Sequence, residues 1–448
     1  MIASSDYRVV VGLGVTGVSC ARYLSQAGQA FSIVDTRSAP PGLEQFRQEF
    51  PDIPVFVGNI PDNVLEQASE LIVSPGVPLA EPAIAKARQA GVDIVGDIDL
   101  FVRTATAPII GITGSNAKST VTALVGKMAA DAGIDVGVGG NIGVPALDLL
   151  QGNHQLYVLE LSSFQLERAG KLNLAVATVL NVSADHLDRH GSLPVYHQAK
   201  HRIFYGCKKA VVNKDDSLTT PLVADDVGLV SWRCGEPELA GFGLRWQEGE
   251  EFLSFGFELL LPVAELALPG RHNIANALAA LAIGYSAGLP MASMLSTLTE
   301  FQGLPHRCQL VAEINGVRYI DDSKGTNIGA TEAALKGLAK GSNIILIAGG
   351  QAKGADLSLL EPAVSAHCKR VIAIGEAQAQ IQASFSASVA VELSDTLDDA
   401  VRSAAAQAEV GDCVLLSPAC ASFDMFTGYE HRGQVFNAAV CALPGADQ

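Results

Sequence analysis

The chain has 448 residues, 48% of them hydrophobic and 17% charged. That length suits about three domains at roughly 150 residues each, and the apolar content excludes a disordered chain. Thirty Lys and Arg against 47 Asp and Glu leave a formal charge of −17 with no basic run, which argues against nucleic acid or an anionic membrane as the partner.

No apolar run reaches the roughly 18 residues of a membrane span, and no basic segment precedes the first apolar stretch as a secretion signal would require. Eight cysteines are scattered without a Cys-x-x-Cys pair, so zinc-ribbon and disulfide-scaffold readings fail on spacing. Several lie in apolar segments, where buried free thiols are the default. The expectation is a cytoplasmic protein.

Short apolar runs alternate with helical patterns, which predicts parallel α/β architecture in three blocks. The first block has strands near 7–12, 31–35, 55–57, 70–74 and 94–95. Gly12, Gly14 and Gly17 form G-x-G-x-x-G between the first strand and a helix, and the second strand ends in Asp35. Glycines there let the backbone turn and approach a phosphate at a helix start, and an acid about 20 residues on suits a ribose. Alone, this reads as an NAD-dependent oxidoreductase, as a site for another nucleotide, or as a tight strand–helix turn. Thr36 and Arg37 follow Asp35 and could hold a base or a phosphate.

Residues 104–108 read as a linker. The second block has strands near 109–113, 156–161, 175–181 and 209–213, hairpins within 233–258, and a helix over about 272–287. GITGSNAKST (111–120) sits between an apolar strand and an amphipathic helix that Gly133 can end. Such a loop presents N–H groups to phosphates, Lys118 would reach the β- and γ-phosphates, and Ser119 or Thr120 would contact Mg²⁺. Ile112 and Ala117 occupy positions that are glycine in the strict phosphate-loop pattern; a positive φ at 117 would cost Ala about 1–2 kcal/mol relative to Gly. The bland alternative is a generic strand–loop–helix junction, and a decayed, non-catalytic nucleotide site is a further one. Glu160 interrupts an apolar strand, where a carboxylate is costly unless paired or metal-bound. Residues 181–188 (NVSADHLD) add metal-capable groups, and Lys200 lies in a helical stretch over 194–205. The third block has strands near 317–321, 343–348, 371–374 and 413–417.

GLGVTGVS, GITGSNAKST, LELSSFQLE (159–167), NVSADHLD, GRHNIANALAA (270–280), GLPHRCQ (303–309), DDSKGTN (321–327) and LLSPACASFD (415–424) occur in this order. Together they resemble the Mur ligase family over essentially the whole chain. The resemblance implies three α/β domains: a Rossmann-like UDP-substrate domain over 1–97, a P-loop ATPase-like domain over 98–304 with a mostly parallel sheet and a small antiparallel part, and a Rossmann-like amino-acid domain over 305–448. It implies ATP-dependent addition of D-glutamate to UDP-N-acetylmuramoyl-L-alanine through an acyl phosphate and a tetrahedral intermediate, a step of peptidoglycan precursor synthesis, by a monomer acting on small molecules. Within the family, another acceptor amino acid or L-glutamate stays open.

By the same resemblance, Val15, Thr16, Thr36, Arg37, Ser74, Pro75, Gly76, Asn141 and His186 would meet the UDP-substrate. Gly114, Ser115, Asn116, Ala117, Lys118, Ser119 and Thr120 would hold ATP, with Asn273, Asn276, Arg307, Asp322 and Lys324. Two Mg²⁺ ions would be ligated by Ser119, Glu160, His186 and a carbamylated Lys200, and the catalytic set would be Lys118, Glu160, His186, Lys200 and Arg307. Thr326, Lys353, Ser422 and Tyr429 would take the glutamate. The chain departs from the family pattern at Ala117, at Gly325, where a larger residue is common and whose lack of a side chain suggests a looser loop, and at Gln351-Ala352 before Lys353.

Overall fold

The computed structural model describes residues 7–60, 63–268 and 270–446, so the extreme ends of the first and third expected domains lie outside them. Three sheets organise the described chain. The first has five parallel strands in the order Val55–Val57, Ala30–Asp35, Tyr7–Val11, Glu70–Val73, Asp93–Val95. Its central strand is wholly apolar after Arg8 and is buried from Val9 onward, as a strand covered on both faces must be.

The second sheet has nine strands, in the order Glu258–Pro262, Glu250–Phe255, Gly241–Gln247, Gly228–Trp232, Lys209–Asn213, Val176–Val179, Ile109–Thr113, Leu156–Glu160, Val136–Gly140. The first three form an antiparallel meander; all other pairings are parallel. The hairpins expected within 233–258 thus lie over 241–262, and a parallel strand, Gly228–Trp232, precedes them. In the third sheet the order is Gln309–Ile314, Val317–Asp321, Cys413–Leu416, Ile344–Gly349, Cys368–Ile374, Ala390–Leu393, with only the first pair antiparallel.

The chain divides into two compact units. One comprises Met1–Glu265 and Asn276–Thr299 and holds the first two sheets; the other comprises Leu266–Ala275 and Glu300–Gln448 and holds the third. Within the first unit the two sheets share one apolar core, which runs from Val10 and Phe31 to Tyr157 and Leu174. Polar ties reinforce it: Ser19 donates to Asp148 at 2.7 Å, Gln165 to Asp97 at 3.0 Å, and the Gly170 amide to Asp99 at 2.8 Å. Among the described residues no helix is long and apolar enough to cross a membrane, and the eight cysteines are free thiols.

Candidate active site

In a parallel sheet, ligands bind beyond the carboxyl ends of the strands. In the second sheet three central strands deliver residues there. Ile112 pairs with Glu160 and Thr113 with Val179, so the phosphate loop, Glu160 and the 181–188 loop emerge side by side. Asn181 fastens the phosphate loop: its carbonyl accepts from the Ser115 amide (2.9 Å), its side-chain oxygen from the Asn116 amide (2.8 Å), and its side-chain nitrogen donates to the Asn116 carbonyl (3.2 Å). Ser115 and Ser183 close the same junction through hydroxyl–backbone bonds of 2.9 and 3.0 Å.

The helix Lys118–Asp131 begins at Ala117, whose φ of 65° is left-handed. A non-glycine residue there carries strain of order 1–2 kcal/mol. Ala117→Gly is therefore expected to raise stability in urea by up to about 1 kcal/mol, glycine's greater freedom when unfolded offsetting part of the relief, with activity retained. Lower stability in that variant would contradict the strain argument. Ser119 and Thr120, in the first turn, are buried.

Two lysines converge on this loop. Lys118 Nζ donates to the carbonyls of Gly114 (2.8 Å) and Ser115 (2.9 Å), and Lys200 Nζ to that of Gly114 (2.8 Å). Lys200 is 1% exposed and lies 4.5 Å from the Tyr196 ring centre. Burial, and then the Lys118 charge, hold its amine well below the usual lysine range. Glu160 is equally buried; its Oε1 accepts from Asn141 Nδ2 at 2.6 Å, while its Oε2 has no protein partner. A buried carboxylate oxygen left unpaired at a phosphate loop suits a hard cation. Among the described residues no three His, Cys, Asp or Glu side chains gather into a cage. His186 is also left-handed (φ 53°) and sits beside Asp185 and the Phe164 ring, centroids 4.9 Å apart.

In the first sheet, Gly12 has φ 98° and a Cβ on Gly17 would lie 2.1 Å from the Gly12 carbonyl oxygen, so both glycines are sterically required. Asp35 is not available for a ribose as the dinucleotide reading expected. Its carboxylate accepts from the Leu13 amide (2.7 Å) and from the Arg37 amide and guanidinium (2.9 and 2.6 Å). Burial pushes this carboxyl up, but those donors outweigh it and hold it below its usual value. Val15, Thr36, Arg37 and Gly76 are exposed, and Thr16, Ser74 and Pro75 half-buried, around the opening of this turn. Ser74 Oγ donates to the Gly12 carbonyl at 3.0 Å.

The second unit gathers its own cluster. Asp322 accepts from Ser417 Oγ (2.7 Å) and the Cys308 amide (3.2 Å). Burial raises its carboxyl to about 7, against the opposing Ser417 hydrogen bond and Arg307 charge. An acid whose folded value lies above its free value binds protons preferentially in the folded state, so it destabilises the fold increasingly as pH climbs from about 4 to about 7. The expected result is a loss of stability over that window that Asp322→Asn lacks; parallel urea-unfolding curves for the two proteins would contradict it. Gly325 does not loosen this loop: a Cβ there would meet Asp322 Oδ2 at 2.6 Å and Ser417 Oγ at 2.7 Å. Its absence lets those two groups close on each other.

Arg307 is flanked by left-handed His306 (φ 61°) and Cys308 (φ 47°), and His306 Nδ1 lies 2.6 Å from Asp321. Lys324 Nζ stands 3.6 Å from the Tyr429 ring centre, a cation–π contact. Lys353 is left-handed (φ 51°), its Nζ 5.6 Å from the Phe423 ring centre. The Gln351 backbone bridges Ala421 through two 2.9 Å bonds, which need no particular side chain at 351 and bring Lys353's loop beside the loop of buried Ser422. Thr326 donates its amide to the Lys324 carbonyl at 2.8 Å. Asn273 and Asn276 lie three residues apart in the helix Arg271–Ala287 and so share a face. Sequence reasoning missed Arg432, fully buried, which donates to Ser323 Oγ (3.0 Å) and to the carbonyls of Ser323 (2.8 Å), Cys420 (3.2 Å) and Gly349 (3.5 Å). It joins the three loops that carry Lys324, Ser422 and Lys353. Tyr196 was missed as well, and so was the fastening role of Asn181 within the 181–188 run.

Three family models match in series: "Mur ligase MurD-like, N-terminal domain" over residues 6–96, "Mur ligase middle domain" over 112–284 and "Mur ligase, glutamate ligase domain" over 306–420. The chain belongs to the Mur ligase family. Mur ligase relatives named UDP-N-acetylmuramoylalanine–D-glutamate ligase include one from Pseudomonas syringae pv. tomato, 52% identical over 99% of both chains. Another, from Marinobacter nauticus, is 50% identical over 99% of this chain and 100% of its own. Among solved structures, the fold is similar to that of UDP-N-acetylmuramate-alanine ligase MurC from Thermotoga maritima, with TM-score 0.61 at 19% identity over 96% and 98% of the two chains. It is also similar to MurF ligase from the same organism in complex with ADP, with TM-score 0.60 at 15% identity over 98% and 97%. The protein thus has the three-domain Mur ligase fold, with mostly parallel sheets and small antiparallel parts.

Proposed function

We propose that this Mur ligase joins D-glutamate to UDP-N-acetylmuramoyl-L-alanine at the expense of ATP, as a cytoplasmic monomer in peptidoglycan precursor synthesis. The observation that carries the reading is full-length identity of about half to relatives of that name. Residues 1–97 take the UDP-substrate, 98–304 bind ATP, and 305–448 take the amino acid.

The alanyl carboxylate attacks the γ-phosphorus of ATP, ADP leaves, and an acyl phosphate forms. The glutamate amine adds to its carbonyl carbon, giving a tetrahedral intermediate that expels phosphate and loses a proton to leave the amide. Lys118 and the phosphate-loop amides steady charge on the transferring phosphoryl group, a role in which the family resemblance also casts Arg307. Glu160 Oε2, the Ser119 hydroxyl, His186 and a Lys200 carbamate would hold two Mg²⁺ ions. Magnesium supplies Lewis-acid neutralisation of phosphate charge. Burial holds Lys200's amine well below the usual lysine range, which favours the uncharged form that adds carbon dioxide; with loss of a proton, the carbamate would turn a buried base into an oxygen-donor anion. Asn273, Asn276, Asp322 and Lys324 hold ATP. Val15, Thr16, Thr36, Arg37, Ser74, Pro75, Gly76 and Asn141 orient the UDP-substrate, while Thr326, Lys353, Ser422 and Tyr429 orient glutamate. Lys and Ser donors match its two carboxylates.

A substrate labelled with ¹⁸O in the alanyl carboxylate tests the chemistry. One labelled oxygen is expected in each released phosphate; unlabelled phosphate would rule out the acyl phosphate.

A further inference from the structure

Residues 73–77 form the turn that holds Ser74, Pro75 and Gly76. The carbonyls of Val73, Ser74, Pro75 and Val77 all point at one group, the guanidinium of Arg168. Nη1 donates to Val73 at 2.9 Å and also to Ser74; Nη2 donates to Pro75 at 3.3 Å and to Val77 at 3.2 Å. The Arg168 side chain has no exposed surface. Burial lowers its value to about 10, so it stays charged at neutral pH. Four carbonyl dipoles aimed at one point repel one another, and a buried cation with a planar fork of donors is what allows such a turn to persist.

The clamp is anchored on the ATP side of the same unit. Arg168 ends the short helix Ser163–Arg168, which starts just past Glu160. Glu167 Oε2 accepts from Arg168 Nη2 (3.5 Å) and Arg189 Nη2 (3.1 Å), and Arg189 Nη2 also donates to Val77 (3.0 Å). The Arg189 guanidinium lies 5.2 Å from the Phe164 ring centre, and that ring contacts His186. The turn's own Val77 amide bonds the Ser74 carbonyl (3.0 Å), and Ser74 is tied back to Val11 and Gly12; the ties to its outward carbonyls come from residues about 90–110 positions later in the sequence.

We infer that Arg168, with Glu167 and Arg189, is a positioning clamp that shapes the 73–77 turn for the diphosphate–sugar substrate and ties that turn to the segment carrying Glu160 and His186. This rests on the placement of the UDP-substrate at Ser74–Gly76. Arg168 acts through backbone carbonyls and touches no reacting atom.

The test is steady-state kinetics of the full chain with each substrate varied in turn, for wild type, Arg168→Lys and Arg189→Gln. Lysine keeps the charge but, as a point donor, cannot serve four carbonyls at once. The clamp predicts a KM for UDP-N-acetylmuramoyl-L-alanine raised about tenfold in Arg168→Lys and about threefold in Arg189→Gln, since misplacing a positioning element by a fraction of an ångström has effects of this order. The KM values for ATP and D-glutamate stay within about twofold, and so does kcat. Equal rises in all three KM values, or a fall in kcat alone, would overturn the clamp and leave a merely structural role. If Arg168→Lys fails to fold, Arg189→Gln decides. An unchanged KM for a UDP-substrate that wild type requires overturns the clamp alone. A wild type indifferent to the UDP-substrate overturns the substrate reading and the clamp with it.

Discussion

Lys118→Ala is expected to cut ATP-dependent phosphate release by about 10³-fold or more while the protein stays folded. Its ammonium bonds the Gly114 and Ser115 carbonyls at the mouth of the phosphate loop. These contacts are local, three and four residues away, and the loop is held separately by Asn181. On the proposed assignment, removing the side chain takes away charge where the transferring phosphate would gather it and leaves the scaffold in place. Losing a preorganised donor in a water-poor site costs about 10²–10³ in rate, and losing a full positive charge costs at least as much. Circular dichroism and thermal unfolding like wild type, with phosphate release near background, are the outcome to look for. Turnover near the wild-type rate would remove the phosphate-loop assignment.

The second large effect concerns Lys200. It is 1% exposed, with its amine held well below the ordinary value of 10.5 by burial first and by Lys118 second. A base depressed in the folded state binds fewer protons there than when unfolded. Stability therefore rises with pH from the depressed value up to 10.5 and is reduced at neutral pH. Lys200→Met should remove this cost, flattening the pH dependence and stabilising the fold at pH 7, yet abolish turnover. On the proposed reading, the cost of burying this lysine is offset by its chemistry rather than by packing. Lys200→Ala should be inactive and regain part of its activity with added formate or acetate, which can enter the space of the lost carbamate. Full activity in Lys200→Met would contradict any role for this lysine. Absent rescue with lost activity would speak against the carbamate and leave the ligase assignment standing.

Much of this site is legible in the chain because phosphate and metal chemistry use local runs. GITGSNAKST places loop, lysine and hydroxyls within ten residues, and a strand that is apolar except for Glu160 marks that carboxylate as purposeful. Strands buried on both faces, such as Ile109–Thr113 and Cys413–Leu416, read as uninterrupted apolar runs. Val136–Gly140 escapes notice because three of its five residues are glycine. Ala390–Leu393 is an edge strand of four residues with no buried position. Gln309–Ile314 is an antiparallel edge strand with a bulge and only one buried residue.

The residues that organise the site are the illegible part. Asn181, Arg168 and Arg432 act chiefly on backbone carbonyls and amides tens of positions away or more, and a backbone group has no letter in the sequence. Asp35 shows the converse error. Its place after the second strand suits a ribose, but its carboxylate is already committed to Leu13 and Arg37, which removes the feature that most favoured an oxidoreductase.

The most direct test is phosphate release from ATP and Mg²⁺ with UDP-N-acetylmuramoyl-L-alanine, supplying D-glutamate, L-glutamate, L-lysine or meso-diaminopimelate as acceptor. The account predicts release that requires both the UDP-substrate and D-glutamate, with the other acceptors at background. Release with a different acceptor, or with none present, would contradict it.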